Sequence, residues 1–138
     1  MRPEIIELIR YRKERSTEAL EMARLAIENG YLRDAVNRLY YTCFYAVTAL
    51  LLTKDMSSSK HRGVQSLFDQ HWVLVGHVPR EWGRFYHNLL KHRQKGDYED
   101  LVVFEREDVA EWLREAERFH DALFSQVEAF VQEQSDQR

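Results

Sequence analysis

A chain of 138 residues, 44% hydrophobic and 31% charged, has the length and composition of one ordinary globular domain with a real core. Its net charge of −3, from 20 Lys and Arg against 23 Asp and Glu, excludes a global field that would draw the molecule onto nucleic acid or membrane, though not a local basic patch. The single cysteine, Cys43, excludes an intrachain disulfide and fits a small core hydrophobe.

At the start of the chain, Arg2, Glu4, Glu7 and Arg10 interrupt any apolar run, so no signal peptide is expected. Pro3 suits a first helical turn, with Glu4 and Glu7 at the positive end of the helix dipole. Ile5, Leu8, Ile9, Arg12, Ser16, Ala19, Leu20, Ala23 and Ile27 then trace one helix face, apolar except at its middle, and Asn29-Gly30 ends it. The second helix runs from about Tyr31 to Lys54-Asp55. In it Val36, Leu39, Tyr40, Cys43, Phe44, Val47, Leu50 and Leu51 recur at three- and four-residue steps, and a neighbouring ridge carries Asn37, Tyr41, Tyr45 and Thr48. A helix apolar over so much of its circumference needs cover from several sides, so it is expected at the centre of an all-α bundle. Its longest apolar run, Leu39 to Leu52, is too short for a membrane span, which makes a cytoplasmic location the default expectation.

A polar connection with Ser57 to Ser59 leads to a shorter helix over Lys60 to Gln70, burying Val64, Leu67 and Phe68. Trp72 to Val78 is expected to be a loop, and Pro79 precedes a helix carrying Trp82, Phe85, Tyr86, Leu89 and Leu90 that runs out at Gly96. Asp97 to Phe104 connects to a last amphipathic helix with Val109, Trp112, Leu113, Ala116, Phe119, Leu123, Val127, Phe130 and Val131 on its stripe. The expectation is an up-and-down bundle of about five helices over residues 1–131, with 132–138 as a polar, fraying tail. No internal repeat or domain linker is visible.

Candidate chemistry is sparse. One cysteine and six histidines without HExxH spacing argue against zinc, and scattered glycines form no phosphate loop, so neither a metal nor a cofactor is expected. The informative stretch is His92-Arg93-Gln94-Lys95-Gly96-Asp97-Tyr98, where Arg93 and Asp97 stand one helical turn apart. By composition alone this is a helix C-terminus with basic residues at the negative dipole end. Lys60, Arg62, Lys91, Arg93 and Lys95 make a candidate phosphate-facing patch or a merely solvated surface. Tyr41 and Tyr45 line a groove or simply pack with a hydroxyl hydrogen bond.

Taken as an ordered set, Asn37-Arg38-Leu39-Tyr40-Tyr41 with Phe44, then Ser59-Lys60-His61, Leu67-Phe68, Phe85 and Leu89, and finally Arg93-Gln94-Lys95-Gly96-Asp97-Tyr98, resemble the HEPN superfamily (higher eukaryotes and prokaryotes nucleotide-binding domain). The closest likeness is to its small stand-alone prokaryotic branch, whose last motif reads like Arg-x-x-Ala-Asp-Tyr, with Gly96 here in place of Ala. The resemblance implies a bundle that pairs about a two-fold axis, a homodimer bringing two Arg93 regions together. It also implies a toxin–antitoxin or nucleotidyltransferase-associated role acting on or binding RNA or nucleotide. The partner would be a small MNT-type nucleotidyltransferase antitoxin that adds AMP to a tyrosine just after the motif, here Tyr98. Many relatives in that superfamily are metal-independent RNases in which four to six residues separate the motif arginine from a histidine. In this chain those places hold Tyr98, Glu99 and Asp100. Arg80 with His87 and Arg114 with His120 match the spacing but lie too early and in the last helix.

The candidate catalytic set is therefore Arg93 on a phosphate, with Asp97, Tyr98 or a partner's histidine moving the proton and His92 as a weak substitute. Asn37, Arg38, Tyr41, Lys60, His61, Lys91 and Lys95 are candidate substrate contacts. The alternative is a non-catalytic dimeric binding or scaffold module in which Arg38, Arg93 and Asp97 are a structural polar network.

Overall fold

A computed structural model describes residues 2–137. Five α-helices follow in order: α1 (Pro3–Glu28), α2 (Leu32–Leu52), α3 (His61–Phe68), α4 (Arg80–Tyr98) and α5 (Arg106–Asp136), and the described residues contain no strand. No helix among them is long and apolar enough to cross a membrane.

α2 is the axis of the bundle and packs against α1, α3, α4 and α5. Ala35, Val36, Leu39, Tyr40, Cys43, Ala46, Val47 and Ala49 are fully shielded from solvent, which explains why this helix has almost no polar face. Burial pushes the Cys43 thiol well above its ordinary range, as for an inert core residue. The polar middle of α1 is matched to the polar ridge of α2. The Ser16 hydroxyl donates to the Thr42 carbonyl at 2.6 Å, Arg12 Nη1 to Thr48 Oγ1 at 3.4 Å, and Arg15 Nη2 to the Tyr45 hydroxyl at 3.3 Å. Tyr45 is thus a packed tyrosine with a satisfied hydroxyl. At the end of α1, Gly30 takes φ 77° and lets the Tyr31 N–H turn back to the Ala26 carbonyl at 2.8 Å.

Three boundaries differ from expectation. The loop expected after α3 begins as a π-helical turn over Asp69–Val73, where the Leu74 N–H reaches the Asp69 carbonyl at 2.8 Å. Phe68 and Trp72 are both buried across this turn. α4 does not end at Gly96 but continues to Tyr98. Gly96 serves close approach instead, because a Cβ there would lie 3.0 Å from Phe104 Cε2. α5 stays helical through the expected tail, to Asp136.

α3 is placed by the loop before it. A Cβ on Gly63 would run into the Ser58 side chain, whose own Cβ would be 2.9 Å away. Ser58 Oγ accepts from the Lys60 N–H at 3.2 Å at the mouth of the helix. Gly63→Ala is expected to lower stability by up to about 2 kcal/mol, overpacking outweighing the better helix propensity of alanine. A thermal melt that is unchanged or raised would contradict this.

Candidate functional site

The site forms where α2, α4 and the first turn of α3 meet. α4 turns Arg93 and Asp97 toward α2, because residues four apart share a face. Arg93 Nε donates to Asp97 Oδ2 at 3.1 Å, and Asn37 Nδ2 donates to the same oxygen at 3.2 Å, which ties α2 to α4. Arg38 closes the network by donating to Asn37 Oδ1 from Nη2 at 2.7 Å and from Nε at 3.1 Å.

Beneath these polar groups lies an aromatic floor. The Arg93 guanidinium carbon sits 5.3 Å from the Tyr40 ring centre and 5.2 Å from that of Tyr41, and that of Arg38 sits 5.0 Å from the Tyr41 ring. The Arg93 side chain is 14% exposed. Its Nη groups make no hydrogen bond among the described residues, so the fork of a held but unspent guanidinium is available to an oxyanion.

His61, the first residue of α3, completes the cluster. Its Nδ1 is 2.6 Å from the Tyr40 hydroxyl, and its ring packs 4.7 Å from Phe44. Burial, and then the nearby positive charge of Arg93, pull its pKa below the ordinary 6.5, so the imidazole is neutral at pH 7. Burial pushes the Tyr40 hydroxyl up to about 12, keeping it protonated. Tyr86 stacks on Tyr40, ring centres 5.9 Å apart. The two hydroxyls interact electrostatically, but that of Tyr86 is buried and meets no partner in hydrogen-bond geometry among the described residues.

Asn37, Arg38, Tyr41, His61, Arg93 and Asp97 are therefore brought together, and Lys60 stands exposed at the N-terminus of α3 beside them. Lys91, Lys95 and Tyr98 are not. They project from the other side of α4, where with Asn88, Gln94 and Glu99 they line a groove of about 510 Å³. Tyr98 is 76% exposed there and cannot serve the Arg93 cluster of its own chain as an acid. Asp97 is bonded to both Arg93 and Asn37.

The remaining histidines have other tasks. His92 stacks on Trp112 with ring centres 4.2 Å apart, facing α5. His87 is bound to Asp69 at 2.7 Å, and His120 lies between Thr17 Oγ1 at 3.2 Å and Asp121 at 3.0 Å. Neither near-match to the Arg–His spacing joins the cluster. Among the described residues no group of three or more His, Cys, Asp or Glu is placed to hold a metal ion. The sequence did not mark Tyr40 as part of the site, since a fully buried tyrosine in a core stripe looks like packing. Its signal was the adjacent pair Tyr40-Tyr41, one residue beyond Asn37-Arg38.

Comparison with known proteins gives this cluster its family context. A protein from Thermotoga maritima named "UPF0332 protein" is 46% identical over 122 residues, covering 88% of this chain and 92% of that one. Two proteins from Methanocaldococcus jannaschii are also similar. "Putative toxin MJ0605" is 37% identical over 123 residues, covering 89% of this chain and 88% of its own. "Putative toxin MJ0142" is 35% identical over 119 residues, covering 82% and 80%. The family description for the HEPN domain matches residues 9–127, nearly the whole bundle and every member of the Arg93 cluster, and the chain belongs to the HEPN domain family.

Proposed function

We propose that this HEPN protein is the toxin-like member of a toxin–antitoxin pair and acts on RNA, taking a phosphodiester at Arg93 and cleaving it without metal. One observation carries this: a guanidinium held against Tyr40 and Tyr41 and tied to Asp97, with its Nη fork unspent. Arginine in that state suits a phosphate passing through a pentavalent arrangement, because it offers two parallel donors and a permanent charge. The word toxin in the names of two relatives supports the role. The protein is expected to act as a homodimer with two Arg93 sites near each other. The test is mixed cellular RNA incubated with purified protein in EDTA, and intact RNA at the end would remove the RNase reading.

The second reading is a non-catalytic binding or scaffold module. It is favoured by the way Asp97 bridges α4 to Asn37 and Arg38 of α2, which is what a network fixing bundle register would do. Tyr98 bears on both readings. Exposed on α4 and clear of the Arg93 cluster, it is accessible to a nucleotidyltransferase that would add AMP. Co-expression with such an enzyme encoded beside this gene should add the mass of one AMP to the peptide carrying Tyr98. A spectrum showing only the unmodified peptide would rule that partnership out.

A further inference from the structure

None of the residues five to seven places after Arg93 is a histidine, yet the fold sets one beside the arginine from another helix. His61 and Arg93 share the two rings of Tyr40 and Tyr41. The histidine packs 5.5 Å from the first and 6.1 Å from the second, and the guanidinium lies 5.3 and 5.2 Å from the same pair. Phe44 closes the third side of the imidazole. The ring is fixed by position at the helix start and by the Nδ1 contact to Tyr40, so Nε2 lies on the side of the ring away from Tyr40.

We infer that His61 is the general base of the Arg93 site, removing the 2′-hydroxyl proton of a single-stranded RNA whose scissile phosphate Arg93 holds, with Tyr40 as the residue that positions its ring. This rests on the RNase reading above and supplies the proton carrier it lacked. In the tautomer that works, Nδ1–H donates to the Tyr40 oxygen and the Nε2 lone pair is free. Nε2 takes the 2′-hydroxyl proton, the 2′-oxygen attacks the adjacent phosphorus, and the P–O5′ bond breaks. The O5′ leaving group takes a proton from water, and the imidazolium returns its own to solvent. The products are a 2′,3′-cyclic phosphate and a 5′-hydroxyl, with no redox change and no co-reactant.

The surroundings suit a base. The groups facing His61 are Tyr40 and Tyr41 from α2 and Arg93 from α4, with Lys60 and Arg62 beside it on its own segment. The carboxylate of the cluster, Asp97, is bonded to Arg93 and Asn37. Burial, and then the charge of Arg93, hold the imidazole neutral, ready to accept a proton near pH 7.

The experiment measures cleavage of a labelled single-stranded RNA oligonucleotide in EDTA by the parent protein and by His61→Ala, His61→Asn, Tyr40→Phe and His87→Ala. The all-deoxy oligonucleotide is the substrate control. Both His61 variants are expected to lose kcat by about 10²–10⁴-fold with KM little changed. His61→Asn offers an amide where Nδ1 stood, which keeps the link to Tyr40 and separates loss of the base from loss of the fold. His87→Ala should leave the rate as it was, and the deoxy strand should stay intact. The parent's kcat/KM should rise with pH through a limb below 6.5, the ordinary histidine value, and Tyr40→Phe should move that limb. If His61→Asn cleaves within about twofold of the parent, against the loss expected of a base, the inference falls and the Arg93 reading stands. If the parent leaves RNA intact, both fall. Should both His61 variants lose their thermal transition, the parent's profile decides, and the lack of any acid limb overturns the assignment.

Discussion

Arg93→Ala is expected to reduce RNA turnover by at least about 10²-fold while leaving the protein folded, since a preorganised donor at a developing oxyanion is typically worth that much. The alanine variant removes the one guanidinium whose Nη groups are free of other bonds at the centre of the cluster. The cost to stability is small, on the order of 1 kcal/mol. The pair to Asp97 is partly exposed and within one helix, and Asp97 keeps its bond from Asn37. Arg93→Lys discriminates charge from shape: it keeps a cation but loses the planar fork, so most of the activity should still be missing. Turnover in EDTA, read beside a thermal melt of each variant, is the measurement. Equal cleavage by parent and Arg93→Ala would displace the site from Arg93 altogether.

Phe119→Ala is expected to be the most damaging single change to the fold, costing about 3–5 kcal/mol. Phe119 is 1% exposed on α5, and four rings gather round it: Phe68 from α3 at 6.1 Å, and Trp82, Phe85 and Tyr86 from α4 at 6.0, 6.2 and 6.1 Å. Truncation would leave a void bounded by three helices that cannot all close in at once, because each is also packed against α2 or the π turn. For a chain of this length the melting temperature should fall by roughly 10–20 °C. Leu101→Ala, at a side chain 93% exposed, should stay within about 0.5 kcal/mol of the parent. A Phe119→Ala melt as high as that of Leu101→Ala would show that α5 repacks freely and that this aromatic cluster is not the keystone of the core.

The effects of these changes on the site differ in kind. Phe119 stacks against Tyr86, which stacks on Tyr40, so the core and the floor under Arg93 are one continuous set of rings. Loosening the first is expected to disturb the second, whereas Arg93→Ala disturbs only the second. Melting temperature and turnover should therefore fall together in Phe119→Ala and separate in Arg93→Ala.

By itself the sequence determined the helical class, the central place of α2, the stripes of α1 and α5 and the kinship carried by Asn37 to Tyr41 and Arg93 to Tyr98. All of these follow from periodicity or from residues close together in the chain. The four-residue spacing allowed Arg93 and Asp97 to share a face, and the continuation of α4 past Gly96 to Tyr98 is what brings them together. Tertiary structure decided the rest. Gly96 looked like a stop signal, but its missing Cβ makes room for Phe104, a neighbour eight residues away that no local rule reveals. The π turn at Asp69–Val73 has no local signal in the sequence, and it lies between Phe68 and the loop with both Phe68 and Trp72 buried. The basic residues looked like one patch in the sequence. A helix of 3.6 residues per turn splits them, sending Lys91 and Lys95 to the far side of α4 from Arg93. His61 joins the cluster from a distant part of the chain, because the first turn of α3 delivers it to the Tyr40 hydroxyl, which is buried and needs a partner.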